Sequence, residues 1–470
     1  MNIKMNVKSN LPYFVMATSL FLNISCKKEI QKPNIIFILT DDQRWDALGY
    51  AGNGIIQTPE MDKLAREGIY FKHAFVTTPI SAASRASILT GMQERTHGYT
   101  FGQGNIKEPY IKNSYPFLMK NSGYYTGFYG KFGVNYDKIK TLFDKCDVYD
   151  RNEKFKDRRG YFYKTIGKDT VHLTRYTGQK ALDFINSVPK GRPFCLSLSF
   201  SAPHAHDPAP DQYFWQDTVD SLYRNITIGP PLMGEDKYFN EQPDYVRKGE
   251  NRTRWYWRYD TPEKYQHSVK GYFRMISGID LEIGKIRKLL KEKGIADNTI
   301  IMLMGDNGYF LGERQLAGKW LMYDNSLRVP LIIYDPRNPN HRDVEDMALN
   351  IDIAPTIFDF AGLKIPSTWQ GKSLAGYVKG ENPVKNREEF VCEHLWEVPI
   401  IAPSEGLRTK KWKYFRYRHD MQHEELYNLV NDPWEKHNLA NNLQYEAAIK
   451  KMRNDCDSLI KVLTGQKLIK

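Results

Sequence analysis

The chain reads as an α/β protein: a large, mostly parallel sheet flanked by helices, followed by a smaller C-terminal antiparallel sheet with a helix. Three observations carry this reading. Short apolar runs alternate with segments of helical period. Acidic and amide residues stand directly after two of those runs, where open α/β sheets place their sites. Beyond residue 385 the composition shifts to short strand-like pieces without intervening helices.

The elements follow in chain order. Ile35 to Leu39 is a strand that runs into Thr40-Asp41-Asp42. Thr58-Pro59-Glu60 through Glu67-Gly68 has a capping hydroxyl, a proline at the first helical position and a glycine past the end, which predicts a helix. Ser81 to Gly91 is a small-residue turn opening into a short helix. Tyr124 to Phe128 and Phe194 to Phe200 are strands. Ala202 to Ser268, rich in Pro, Tyr, Trp and charge without a sustained period, is an irregular insertion of the kind that is usually functional. Within it Trp255, Tyr256 and Trp257 read equally well as ligand contacts or as incidental surface aromatics. Ile276, Ile279, Ile283, Ile286 and Leu290 recur at helical spacing, and Gly294 closes that helix before a strand at Thr299 to Met304. A further strand at Leu331 to Tyr334, a helix after Ile351 and a loop from Pro366 to Gly371 complete the first part. Then come Trp412 to Tyr417 and Glu425 to Leu429 as strands, Asp432-Pro433 as a turn, and Tyr445 to Leu463 as an amphipathic helix. The resulting division is a leader over 1–26, a main α/β domain over 27–385 and a C-terminal α+β subdomain over 386–470.

At 470 residues the chain is long enough to bury a large core. Its formal net charge of +12, beside abundant aromatic residues, suits an anionic partner. No basic helix, zinc-finger spacing or aromatic RNA-binding motif accompanies that charge, so nucleic acid is not the expected partner. Lys4 and Lys8 followed by the apolar run Leu11 to Leu22 form an export leader too short to span a bilayer comfortably. Ser25-Cys26-Lys27-Lys28-Glu29 resembles the lipoprotein signal in which the Cys becomes an acylated N-terminus, with ordinary secretion and cleavage nearby as the alternative. Either route takes the chain out of the cytoplasm, to a periplasmic location or to an outer membrane through Cys26. Cys146, Cys195, Cys392 and Cys456 are widely spaced and form no thiolate metal motif.

The informative window is Ser81-Ala82-Ala83-Ser84-Arg85-Ala86-Ser87-Ile88-Leu89-Thr90-Gly91, which sets a hydroxyl four residues ahead of a guanidinium. A capped helix start would account for this window alone. It would not account for Asn34 to Asp42, Gly127-Phe128-Tyr129-Gly130-Lys131, Ala202-Pro203-His204, Gly305-Asp306-Asn307-Gly308 with Leu311-Gly312-Glu313, and Gly318-Lys319-Trp320 with Ser326 to Pro330. Taken together and in this order, these motifs resemble the formylglycine-dependent sulfatases of the alkaline phosphatase superfamily, from Pro33 to about Ala440.

The resemblance implies that a maturation enzyme acting on serine oxidises Ser81 to formylglycine. Asp41, Asp42, Asp306 and Asn307, with residue 81, would hold one divalent ion. Oxygen-only ligands favour a hard cation such as Ca2+ over Zn2+, and the resemblance likewise implies calcium. A serine hydroxyl is a poor nucleophile, whereas the hydrated aldehyde carries one oxygen to ligate the cation and one to attack sulfur. Arg85, Lys131 and Lys319 would neutralise sulfate oxygens, helped by the helix N-terminus after Ser81. His204 is the candidate that protonates the leaving alcohol. One departure stands out: many sulfatases carry a His two residues after the lysine of the Gly-Lys motif, where Gly133 stands here, and His97 and His206 are possible stand-ins.

A secreted lipoprotein with aromatic residues in its insertion suits a sulfated glycan substrate, with His394 and Arg408 as candidate contacts. The alternatives are a phosphonate or phosphate monoester hydrolase of the same superfamily and a non-catalytic surface glycan-binding lipoprotein.

Overall fold

A computed structural model describes residues 31–381 and 387–468, together with Met1. The leader and Cys26 lie outside the described residues. The main sheet is built from β1 (Asn34–Thr40), β2 (Ile69–Phe75), β3 (Tyr125–Gly130), β4 (Lys145–Val148), β5 (Phe194–Ser199), β6 (Thr299–Gly305), β7 (Leu331–Tyr334) and β8 (Arg342–Leu349). Their order across the sheet is β8-β2-β7-β6-β1-β5-β3-β4. Every strand is parallel to the rest except β7, which pairs antiparallel with both β6 and β2.

The central strands are buried at every position because both faces of the sheet are covered. Ile35, Phe37 and Leu39 of β1 enter one core cluster, and Ile36 and Ile38 enter the other. Ile300, Met302 and Met304 of β6 divide from Ile301 and Leu303 in the same way, which is the two-residue period of a strand. On the first face lie α2 (Ser81–Thr90) and α7 (Ile353–Phe360), with α3 (Glu94–His97) packed beside α2. The second carries α1 (Pro59–Glu67), α4 (Leu173–Ser187) and α6 (Pro262–Glu292).

Two expectations need correction. The Thr58 hydroxyl makes no capping bond to α1; it donates to Asp62 Oδ1 at 2.9 Å. The cap comes from α6, where the Asp280 carboxylate accepts from the backbone of Glu60 at 3.1 Å and of Met61 at 2.7 Å. The irregular stretch also ends earlier than Ser268, because α6 begins at Pro262 with Thr261 as its cap. Its first turns carry Glu263, Lys264 and Gln266 instead of an apolar stripe, so periodicity did not reveal them. Within the stretch, α5 (Glu250–Arg258) is helical too.

The second sheet contains β9 (Glu389–His394), β10 (Ser404–Thr409), β11 (Trp412–Tyr417) and β12 (Asp420–Asn428), all antiparallel in that order. α8 (Glu446–Gly465) covers it, placing Ile449, Met452 and Cys456 on Val391, Leu407, Tyr414 and Leu426. Residues 32–470 form one compact unit. A buried charge cluster joins the second sheet to the loop after Lys319: Lys413, without solvent exposure, meets Asp324 and Glu435, and Arg408 meets Asp324 at 3.2 Å.

Candidate active site

Register alone gathers the first half of the site. Thr40 lies opposite Gly305, and Gly130 opposite Ser199, so β1, β6, β3 and β5 end at one level. Asp41, Asp42, Asp306, Asn307, Lys131 and His204 all follow those ends. The Asp306 N–H donates to Thr40 O at 2.9 Å, and the Asp42 N–H to Asp306 Oδ1 at 3.0 Å. At the turn out of β3 a side chain is impossible: a Cβ on Gly130 would lie 1.9 Å from Ser199 O, and its φ is +110°. Asp42 adopts φ +67°, a left-handed conformation that costs a non-glycine residue of the order of 1 kcal/mol or more and clusters at functional sites.

α2 brings its N-terminus to this edge. Ser81, the first residue of the helix, is 2 % exposed. Its hydroxyl lies 3.1 Å from Asp41 Oδ1, 3.3 Å from Asn307 Oδ1 and 3.2 Å from Lys319 Nζ. One turn later Arg85 Nε meets Asp306 Oδ2 at 2.8 Å while Nη1 donates to Lys131 O and Ser199 Oγ, both at 2.6 Å. Lys131 donates to Asp41 and Lys319 to Asp42 in tight ion pairs. His204 Nε2 is 3.5 Å from Asp42 Oδ2, and one ligand atom from each of Asp41, Asp42 and His204 lies within 4.8 Å of the others.

This donor set fits a hard cation. Asp41 and Asn307 meet Ser81, Asn307 donates to Asp42, the Asp42 N–H donates to Asp306, and Asp42 Oδ2 has no hydrogen-bond partner. Burial and then the neighbouring Asp41 charge push the Asp306 carboxyl up to about 6. Burial alone would raise Asp41 as well, but Lys131, His204, Arg85 and Lys319 hold it well below the usual carboxylate range. Such crowding of like charge is what a divalent ion relieves.

The structure also explains Gly133. Its φ is +71°, and an added Cβ would lie 2.4 Å from Arg85 Cδ, so the arginine stem fills the space a side chain there would need. Neither stand-in reaches the site. His97 is locked between Ser87 Oγ and the Tyr99 N–H, both at 3.0 Å, and burial pushes its imidazole down to about 3. His206 is bonded to Phe155 O at 2.7 Å and packs edge-on to Tyr161 and Phe214. Asp150 stands beside Lys131 instead, and Arg151 beside His204; neither belongs to a motif. Asp150 Oδ2 lies 3.7 Å from Lys131 Nζ, with its side chain a third exposed. Arg151 Nη1 donates to Ala205 O at 2.5 Å and presses against His204 Nδ1. Burial, and then Arg151 and Lys319, hold His204 well below the ordinary imidazole range.

The expected glycan contacts in the second sheet are both buried. His394 has no exposed surface, and burial pushes it down to about 3. Arg408 is committed to Asp324 and lies 4.2 Å over the Phe75 ring, which makes it part of the seam between the sheets. The insertion, by contrast, does reach the site. Asn251 of α5 donates to Ala317 O and Lys319 O, both at 2.9 Å, and Arg254 lies 4.7 Å over the Trp320 ring. Glu313 accepts from Arg44 at 2.5 Å and from the Leu311 N–H at 2.7 Å, and so ties the loop that leads to Lys319 back to β1.

Comparison with known proteins agrees with this geometry. Residues 33–363 match the family model Sulfatase, and residues 312–462 match the model N-sulphoglucosamine sulphohydrolase, C-terminal. An N-acetylglucosamine-6-O-sulfatase of Bacteroides thetaiotaomicron is 27 % identical, over 93 % of this chain and 89 % of that protein. An arylsulfatase of Clostridium perfringens is 29 % identical over 93 % of this chain and 95 % of its own length. A solved structure of a protein in complex with its substrate D-glucosamine-2-N,6-O-disulfate superposes with a TM-score of 0.77 at 25 % identity, covering 92 % of this chain and 98 % of that one. The phosphonate monoester hydrolase of Agrobacterium radiobacter shares the fold, with a TM-score of 0.73 at 19 % identity over 92 % of this chain and 96 % of its own. The motif order, the convergence of the strand ends on Ser81 and the matched family models together place this chain in the sulfatase family of sulfuric ester hydrolases.

Proposed function

We propose that this sulfatase removes sulfate from a carbohydrate, that Ser81 is its formylglycine position, and that Ca2+ is its metal. The observation that carries the proposal is the placement of Ser81 at the N-terminus of α2, against Asp41 and Asn307 and under Lys319. The carbohydrate reading draws on the relatives that act on N-acetylglucosamine sulfate and on ulvan. Asp41, Asp42, Asp306 and Asn307 would hold the cation. Bound there, Ca2+ would supply positive charge for sulfate oxygens, and the oxidised side chain would supply the nucleophilic oxygen.

The chain's own groups do the rest. Lys131, Lys319 and Arg85 carry three positive charges into a buried site, where they stabilise the charge that develops on sulfate oxygens. The N–H groups of the first turn of α2 add partial positive charge on the same side. His204 turns Nε2 toward Asp42, and we assign to its imidazolium form the proton that passes to the departing alcohol, leaving neutral imidazole. Export and attachment through an acylated Cys26 would bring the enzyme to polymeric substrates outside the cytoplasm.

The test uses protein purified from its native host. Mass spectrometry of the peptide containing residue 81 should show the loss of two hydrogens, and sulfate should be released from sulfated sugars. Unmodified Ser81 in active protein would refute the assignment. Turnover of matched phosphate monoesters that exceeds turnover of sulfates would refute the substrate class.

A further inference from the structure

α5 packs against the loop that carries the catalytic lysine. At its inner end Asn251 holds the backbone of Lys319. One turn on, Arg254 stacks on Trp320, and its Nη2 and Nε bond Asp207 at 2.9 Å and Glu250 at 3.0 Å. Arg254 Nη1 is left without a partner. Asp207 is shared with the fully buried Arg258, keeps a quarter of its side chain exposed, and feels the charges of Arg151 and Lys319. Three residues beyond Arg254, on the same helical face, Trp257 is 39 % exposed, with the Arg258 guanidinium 5.9 Å from its ring. An arginine with a spare donor, a carboxylate with spare acceptor capacity and a partly exposed indole thus gather at α5, the helix that holds the Lys319 backbone. Hydroxyl-rich rings are bound by such sets, with bidentate polar groups for the hydroxyls and an aromatic plane for the C–H face.

We propose that Arg254, Asp207 and Trp257 form a leaving-group subsite in which Arg254 and Asp207 bond hydroxyls of the sulfated sugar and Trp257 stacks on the adjoining ring, so that the substrate is an oligosaccharide. This rests on the carbohydrate reading above. It makes α5, not the second sheet, the specificity element. Trp255 and Tyr256 belong to a separate cluster on α5: their rings lie 4.0 Å and 4.5 Å from the Arg252 guanidinium, which also meets Phe239 at 4.0 Å.

The experiment compares a sulfated disaccharide, its sulfated monosaccharide unit and 4-nitrocatechol sulfate, for the native protein and for Trp257→Ala and Arg254→Lys. For Trp257→Ala the ratio of kcat/KM on disaccharide to that on aryl sulfate should fall about tenfold, carried by KM. Titration calorimetry with the desulfated disaccharide should show weakened binding by a similar factor. Arg254→Lys keeps the charge and loses the fork, and should lower the same ratio for the monosaccharide as well. Unchanged ratios in both variants would overturn the subsite while leaving the carbohydrate reading intact. A native enzyme that turns over the aryl sulfate and no sulfated sugar would overturn that reading itself.

Discussion

Replacing Arg408 by Met separates a structural seam from a glycan contact. Arg408 gives Asp324 two bonds at 3.2 and 3.4 Å, donates to Thr409 O at 2.8 Å and covers the Phe75 ring. Burial would raise the Asp324 carboxyl, but Arg408 and Lys413 hold it well below the usual carboxylate range. Methionine preserves much of the apolar stem and deletes the charge, so the loss is chiefly that of stranding a buried carboxylate with one remaining cation. Breaking a buried pair by removing one partner costs about 3–5 kcal/mol; with Lys413 still present, the lower end, about 3 kcal/mol, applies. Urea unfolding at pH 7 should show this loss. Because the folded Asp324 is depressed, its contribution is present above its unfolded value and fades as pH falls toward its folded one. The penalty of the variant should therefore shrink in acid. kcat and KM per folded molecule should stay close to those of the native enzyme. A loss below about 1 kcal/mol together with a raised KM for glycans would refute the seam and restore Arg408 as a contact.

Three other outcomes are expected. Ca2+ at about 100 times its dissociation constant should stabilise the native protein by about 2.7 kcal/mol in urea unfolding, and Asp306→Asn should lose most of that gain. Gly133→His should not improve the enzyme: the new side chain meets Arg85, so sulfate release should fall and stability should drop by about 1–3 kcal/mol, read by turnover and denaturation. Glu94 is buried, and burial followed by the nearby Glu393 charge raises its carboxyl to about 8, so the stability it contributes is lost as pH rises from the ordinary carboxylate range through that value. Glu94→Gln should then gain on the native protein steadily between about pH 5 and pH 8, measured as a difference in unfolding free energy, and a flat difference would sink this reading.

Motif residues were legible because each lies at a strand end or helix start whose local pattern is strong. The apolar run of β1 announces where Asp41 and Asp42 must fall, and that of β6 does the same for Asp306 and Asn307. Short or edge strands were not legible: β4 has half-exposed residues throughout, and β2 and β8 place charged and polar residues on partly open faces. The surroundings of His394 and Arg408 are not legible in the sequence because a polar residue in a strand looks alike whether it faces a ligand or a second sheet. Asp150, Arg151, Asp207 and Arg254 were missed because each acts through a partner far away in sequence.

The sequence by itself determined that Ser81 opens a helix and that four oxygen-bearing side chains and the cations stand at strand ends, because local apolar period and turn residues set which side chain follows which strand. Only the tertiary structure decided that Arg85 occupies the place a histidine would need at Gly133, that Asp280 caps α1 from another helix, and that α5 folds back onto Lys319. Those outcomes depend on contacts between segments scores or hundreds of residues apart. Such pairings are selected by packing and charge in three dimensions, which no window of neighbouring residues contains.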